Sequence, residues 1–309
     1  MMSFKFIDLF AGIGGIRLGF ESQGGQCVFS SEWDSHAQKT YEANFGECPH
    51  GDITKISPKD IPEHDILLGG FPCQAFSIIG KMNGFDDTRG TLFFNIAEIL
   101  KLKKPKAFML ENVKQLKTHD KGNTFKVIIK TLEDLGYKVN HTVLNALDFG
   151  VPQKRERTFI VGFLDHNIDF NFPVGERSFN LESILEKDDD VPANFFVSEE
   201  IKASRIANLK KEPPFPSIWH QNVSGNVSPL PYSCALRAGA SYNYLLINGV
   251  RRPTPRELLR LQGFPDDFKV VVPYTQLRKQ AGNSVAVPVI KAIANNVITA
   301  MQLKNKNVA

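Results

Sequence analysis

Of four cysteines, Cys73 alone has the setting of a nucleophile. It follows Gly69-Gly70-Phe71-Pro72, a poor helix and a poor continuation of a strand, and Pro72 fixes the backbone beside it. Cys73 therefore sits on a loop just beyond the apolar run at residues 65–68. Loops on a rigid scaffold are where chemistry concentrates. A free thiol is only slightly ionised at neutral pH, yet it is intrinsically very nucleophilic. Cys27, Cys48 and Cys234 lack such a setting and are read as packing residues. No pair has Cys-x-x-Cys spacing, so neither a disulfide scaffold nor a zinc site is expected.

Two further groups could work with a nucleophile. Glu111-Asn112 ends the apolar stretch Phe108-Met109-Leu110. A carboxylate there is partly desolvated and suited to holding a proton. Arg155 and Arg157 precede the apolar run at residues 158–163. On an extended chain they share a face, and two guanidiniums on one side can grip a carbonyl or phosphate oxygen. A plain charged surface stretch is the alternative for that segment.

A glycine turn follows the first apolar run, as Phe10-Ala11-Gly12-Ile13-Gly14-Gly15. A strand, this turn and a helical 16–21 let the backbone approach a ligand closely. It is not the dinucleotide fingerprint, because the third glycine of G-x-G-x-x-G falls at Arg17. Glu32 lies twenty residues beyond Gly12, the usual distance to an acid that binds ribose hydroxyls. Trp33 beside it can stack on an adenine. Together they point to a nucleoside-bearing cofactor without a pyrophosphate. Without Glu32-Trp33 the glycines could be an ordinary tight turn.

These residues need a common frame, and the patterning supplies one. Short apolar runs at 4–10, 27–29, 65–68, 107–110, 142–144 and 158–163 alternate with helical patterns at 91–102 and 124–135, the latter followed by Gly136 as a cap. That alternation predicts an α/β fold with a doubly wound, mostly parallel sheet. Each reactive cluster stands just after an apolar run, so the clusters meet at the carboxyl ends of the strands, where open parallel sheets bind ligands.

After about residue 165 the character changes. An acidic run at 186–190, expected to be a solvated loop, is followed by Pro213, Pro214, Pro216, Pro229 and Pro231. This predicts a second, smaller, loop-rich domain. Thr254-Pro255-Arg256-Glu257 is a capping box with proline at the first helical position. The apolar stripe of residues 287–301 is expected to return to the first domain's sheet, making that domain discontinuous.

The chain has 309 residues, 42% hydrophobic and 23% charged. Those proportions are ordinary for a globular protein and exclude wholesale disorder or a fibrous repeat. No apolar run approaches a membrane span and the first ten residues do not read as a signal peptide, so a cytoplasmic protein without a membrane partner is expected. The net charge of +4 permits a nucleic-acid partner without demanding one.

The segments 6–15, Gly70-Phe71-Pro72-Cys73-Gln74, Glu111-Asn112-Val113, 153–157, Arg252-Pro253 through Gly263-Phe264-Pro265, and Gly282-Asn283-Ser284-Val285 together resemble the DNA cytosine-5 methyltransferases of bacterial restriction–modification systems. They occur in that family's order. The resemblance implies a Rossmann-like methyltransferase domain at residues 1–170 and 280–309, and a target-recognition domain at 171–279. Residues 165–249 resemble the family by position alone.

The resemblance implies that S-adenosylmethionine is held by Phe10, Ala11, Gly12, Ile13, Gly14, Glu32, Trp33, Asp52, Ile53, Pro72, Leu92, Asn283, Ser284 and Val285. It makes Cys73 the nucleophile, Glu111 the acid at the cytosine ring, and Arg155 and Arg157 its supports. The substrate is then double-stranded DNA whose cytosine must be flipped out, a restriction endonuclease is a possible functional partner, and the chain is expected to act as a monomer. The loop at 74–89 could close over the flipped base, with Gln74, Phe76 and Ser77 filling the vacated space. Arg237, in the small-polar and aromatic stretch 233–244, is a candidate to read a guanine, although Ala235-Leu236 stands where the family often has Thr-Leu. No metal is implied. Three rivals are a nicotinamide oxidoreductase, against which Arg17 counts, a non-catalytic nucleic-acid-binding relative, and a tRNA cytosine methylase, whose usual Cys-Phe-Thr is absent from the variable region.

Overall fold

A computed structural model describes residues 3–72 and 92–307, with side chains described through residue 302. Cys73, Gln74, Phe76 and Ser77, with the rest of the loop at 74–89, lie outside the described residues.

The alternation of apolar runs and helical patterns becomes β1 (Phe4–Leu9), α1 (Gly15–Glu21), β2 (Gly25–Ser31), α2 (Ser35–Phe45), β3 (Ile66–Gly70), α3 (Leu92–Lys103), β4 (Ala107–Val113), α4 (Asn123–Asp134), β5 (Lys138–Asn145), a two-residue β6 (Gln153–Lys154) and β7 (Glu156–Phe163). Six of the strands form one sheet in the order β2-β1-β3-β4-β7-β5. Strands β2, β1, β3 and β4 are parallel, and β7 runs antiparallel to β4. From β1 the chain steps one way to β2, then returns past β1 to β3 and β4. Right-handed crossovers in opposite directions put helices on both faces of the sheet. The reversal between β1 and β3 creates a crevice outside the carboxyl ends of the strands.

The core explains the patterning. Ile7 and Leu9 of β1, Phe108 and Leu110 of β4, Phe93, Ile96 and Leu100 of α3, and Ile128 and Leu132 of α4 form one buried cluster. Helix α4 stops where Gly136 takes φ +93°. The Tyr137 amide donates to Leu132 O at 3.3 Å and the Gly136 amide to Glu133 O at 2.9 Å, the paired closure that a left-handed glycine permits.

The structure divides into two compact units, one comprising Met1–Leu144, Glu156–Val174 and Ile290–Ala309, the other Asn145–Arg155 and Gly175–Val289. Residues 145–155 and 280–289, expected with the first domain, group with the second unit. The second unit carries α5 (Glu199–Ala207), β8 (Ile218–Gln221), β9 (Val227–Leu230), β10 (Ser233–Cys234), β11 (Leu245–Ile247), α6 (Pro255–Arg260) and α7 (Tyr274–Asn283). Its antiparallel sheet has the order β11-β8-β9, and β10 pairs with β6. Thr254 caps α6: Glu257 N donates to Thr254 Oγ1 at 3.2 Å and Thr254 N to Glu257 Oε2 at 2.8 Å.

Residues 187–190 of the acidic run are exposed, as expected of a solvated loop. Asp188 has a partner as well: Arg251 Nε donates to its Oδ1 at 2.6 Å, while the two Nη atoms of Arg251 donate to Glu257 at 2.8 Å each. Arg251 is only 1% exposed. A buried guanidinium must be countered, and the acidic run supplies part of that charge.

The final helix, α8 (Val287–Asn307), continues α7 after a short break. An 18-residue stretch within Tyr274–Gln302 is apolar enough, and the helix long enough, for a membrane span by composition and length, where the sequence predicts none. The apolar stripe of α8, Val289, Ile290, Ile293, Ala294 and Val297, is buried within the protein. Ile290 packs so closely on Gly19 of α1 that a methyl there would fall 2.3 Å from its Cγ2. The helix reads as a core element.

Candidate active site

The ends of β3 and β4 lie side by side, with Gly70 paired in register with Glu111. Buried Asn112 donates its side-chain amide to Phe71 O at 2.8 Å and accepts from Val113 N at 2.8 Å. The strand that carries Glu111 thereby anchors Phe71-Pro72, the stretch leading to Cys73. Pro72 itself is exposed.

Glu111 meets Arg157. Nε of Arg157 lies 3.0 Å from Glu111 Oε1, the two side chains being 16% and 12% exposed. On the antiparallel ladder Val113 pairs with Arg157 and Glu111 with Phe159, so Glu111 and Arg157 are diagonal neighbours on one face. A guanidinium beside a nearly buried carboxyl group fixes its orientation.

The glycine turn lies at the end of β1. Phe10 has φ +56°, a left-handed conformation rare for a bulky residue and typical of functional turns. Gly14 has φ +85°, and a Cβ there would sit 2.2 Å from the Phe45 ring. A Cβ on Gly12 would meet nothing within 4 Å, so the turn opens on free space. Glu32 closes the turn from β2: its Oε2 accepts from Gly12 N and its Oε1 from Asp34 N, each at 2.8 Å. Burial pushes the Glu32 carboxyl above its usual range, against the pull of those two backbone donors. Each oxygen keeps a lone pair for a further donor. Trp33 is 78% exposed, an apolar plate beside that carboxylate.

Around the turn, Ile53 and Phe71 belong to the main core cluster, with Phe10 and Leu92 packed against it. Asp52 caps a short turn, accepting from Thr54 N at 3.0 Å and Thr54 Oγ1 at 2.8 Å, and those bonds hold its carboxyl below the usual range. Ala11 and Ile13 are buried. An open glycine turn, an acceptor carboxylate and an exposed indole fit the nucleoside part of a cofactor.

The second unit holds other candidates. Arg155 is buried. Its Nη1 donates to Leu236 O at 3.1 Å, and its Nη2 to Gly282 O at 3.1 Å and to Ser284 O. Within the second unit Arg155 thus gathers backbone carbonyls, while in the first unit Arg157 pairs with Glu111. Ser284 and Val285 are buried and Asn283 is exposed. Arg237 is exposed, over the ring of Tyr244.

Two features escaped the sequence reading. Asp8 of β1 is fully buried, and desolvation raises its carboxyl well above the carboxylate range, opposed by the charge of Arg17. The signal was available, as a lone acid inside an apolar run. Arg17, at the place of the missing third glycine, donates to Glu21 Oε1 at 2.7 Å, to Tyr41 Oη at 3.0 Å and to Glu47. A long side chain fills the space between α1 and α2 where a dinucleotide site keeps close contact. Burial lifts the Cys27 thiol to about 12 and that of Cys234 to about 11, so neither is a ready nucleophile.

The fold is shared with a solved structure. The structure aligns with the Entamoeba histolytica methyltransferase EhMeth at a TM-score of 0.75 and 19% identity, covering 97% of this chain and 99% of that one. In sequence the chain is 64% identical to the type II methyltransferase M.HaeII of Haemophilus aegyptius, over all of this chain and 97% of that protein. It is 66% identical to M.NgoBI of Neisseria gonorrhoeae, over 94% and 91%. Residues 4–299 match the C-5 cytosine-specific DNA methylase family. The chain belongs to that family: it is a DNA cytosine-5 methyltransferase.

Proposed function

We propose that the chain methylates carbon 5 of a flipped-out cytosine within a short duplex sequence, through a transient bond between Cys73 and carbon 6, as the modifying arm of a restriction–modification system. The observation that carries this reading is the Glu111–Arg157 pair on the strand whose Asn112 anchors Phe71, two residues ahead of Cys73.

Carbon 5 of cytosine is a weak nucleophile until the ring is made electron-rich. Addition of the Cys73 thiolate to carbon 6 does that, breaking the 5,6 double bond and placing charge on the ring. Glu111 hydrogen-bonds ring N3 and the amino group and stabilises that charge. Arg157 orients Glu111 and binds the ring's O2. Arg155 braces the segment from the second unit. When bound, S-adenosylmethionine supplies an electrophilic methyl on a sulfonium. Phe10 through Gly14, Glu32 and Trp33 hold its nucleoside, with Asp52, Ile53, Pro72, Leu92 and Asn283 through Val285 as its further contacts. Once carbon 5 carries the methyl, loss of its proton to solvent and expulsion of the Cys73 thiolate restore the aromatic ring. Orientation of the reacting carbons can supply on the order of 7–11 kcal/mol of the barrier. Extrusion of the base costs a few kcal/mol, and Gln74, Phe76 and Ser77 are suited to occupy the gap.

The test is methyl transfer from labelled S-adenosylmethionine to duplex DNA, followed by mapping of the modified base. 5-Methylcytosine in one short motif is expected, and a duplex with 5-fluorocytosine at that position should trap the enzyme through Cys73. Methyl on an exocyclic nitrogen, or no adduct with the fluorinated duplex, would overturn the mechanism.

A further inference from the structure

Several arginines of the second unit converge on a single segment, residues 237–244. Arg205 Nη2 donates to Asn243 O at 2.6 Å. Arg278 Nη2 donates to Ala240 O at 3.2 Å and Ser241 O at 2.7 Å. Arg252 Nη1 donates to Asn243 Oδ1 at 3.2 Å. The guanidiniums of Arg252 and Arg278 lie 4.6 and 4.9 Å from the ring centre of Tyr242. The segment also closes on itself, since Arg237 N donates to Tyr244 Oη at 3.3 Å and Tyr244 N to Ser241 O at 3.4 Å. Three cations thus fix an exposed loop through its carbonyls, an asparagine side chain and a tyrosine ring.

What that loop presents is Arg237. Its guanidinium lies 5.3 Å from the centre of the Tyr244 ring, and its Nη2 is 3.4 Å from His220 Nε2. His220 is held by β8, in register with Leu245 of β11 and Ser228 of β9, and meets Tyr244 edge to face at 6.2 Å. A ring nitrogen facing a guanidinium accepts from it, which places the imidazole proton on Nδ1. Desolvation, and then the charge of Arg237, lower the pKa of His220, in keeping with a neutral acceptor.

We propose that Arg237 reads a guanine of the target sequence and that His220 is the positioning residue which holds its fork ready, on a loop locked by Arg205, Arg252 and Arg278. The chemistry selects the base. A guanidinium carries donors only, in a planar fork, and guanine alone offers two adjacent acceptors, N7 and O6, in the major groove. Adenine and cytosine each present an amino donor there. The fixed loop means that little ordering is left for the moment of binding.

The inference rests on the reading of the chain as acting on duplex DNA, and its test reads binding rather than turnover. Duplexes that bind the full-length chain are selected from a random pool. Each guanine in the selected site is then replaced singly by 7-deazaguanine, which lacks the N7 acceptor. For the wild type, one position should lose roughly 5- to 150-fold in affinity. In Arg237→Ala that position should become insensitive, while the dependence of affinity on salt keeps its slope. Arg237→Lys, which keeps the charge and its donors but loses the planar fork, should keep only part of the penalty. His220→Ala should shrink the penalty. Equal penalties in wild type and Arg237→Ala, or a salt slope reduced by about 1 with uniform weakening on all sequences, would make Arg237 a phosphate contact and overturn the assignment. An unchanged penalty in His220→Ala would remove His220 from it. Failure of methyl transfer leaves this measurement intact, so the two readings fail separately.

Discussion

Nε of Arg157 stands 3.0 Å from Oε1 of Glu111 across the β4–β7 ladder. The pair is nearly buried, so solvent screens it little, and removal of one partner leaves the other desolvated and uncompensated. Glu111→Gln should lower the rate of methyl transfer by about 10²- to 10⁴-fold, the range of a lost acid–base group. Arg157→Ala should fall within the same range, because it misplaces Glu111. The double variant should lose less than the two single losses combined, because part of the loss in Arg157→Ala is the misplacement of Glu111. Single-turnover transfer from labelled S-adenosylmethionine measures all three. Additive losses would mean that the two side chains act independently.

Cys73→Ala should abolish turnover and leave cofactor affinity near that of the wild type, because the cofactor residues of the glycine turn and Glu32 belong to other elements. Calorimetric titration with S-adenosylmethionine and a methyl-transfer assay on the same preparation decide it. Residual turnover above about 1% of the wild type would be hard to reconcile with covalent catalysis, in which each acting group carries a large share of the barrier.

Glu32 makes a pH prediction. Its folded carboxyl is raised chiefly by burial, so the folded state holds a proton that the unfolded chain has already released. Stability is then greatest below the unfolded value and declines as pH rises from there to the raised folded value. Glu32→Gln should flatten that decline in urea titrations. Cofactor affinity should move the opposite way. The ionised carboxylate already accepts from Gly12 and Asp34, and protonation removes an acceptor from the ligand. Affinity of the wild type should weaken as pH falls through the raised carboxyl range, and Glu32→Gln should bind weakly at every pH. A wild-type affinity flat across that range would dissociate Glu32 from the cofactor.

Much of this was legible in the residues. Strong periodicity marked α4 and its stop at Gly136, and the apolar runs marked all six strands of the main sheet. Phe10 through Gly14 with Glu32 could be read as one turn because both groups follow apolar runs. Partnerships across the fold were not legible. Nothing local says that Arg155 donates to Leu236 and Gly282, or that Asp188 of a hydrophilic run answers the charge of Arg251. Both depend on loops of the second unit, where irregular backbone carries no period. The role of Asn112 is of the same kind: its neighbour Glu111 drew the attention, while the amide holds Phe71.

Arg155 tests whether bracing and catalysis are separable. Its guanidinium is buried and gathers the carbonyls of Leu236, Gly282 and Ser284, so Arg155→Met leaves buried acceptors unpaired at about 1–3 kcal/mol each. The melting temperature should fall by several degrees, a domain of this size losing roughly 2–4 °C per kcal/mol. Arg155→Lys should recover little of it, since one ammonium cannot span carbonyls that a planar fork reaches together. Assayed well below its melting point, Arg155→Met should regain substantial turnover, unlike Cys73→Ala, because its contribution is to hold the segment between β6 and β7. Full loss of turnover with cofactor and DNA binding intact would instead place Arg155 at the reacting atoms.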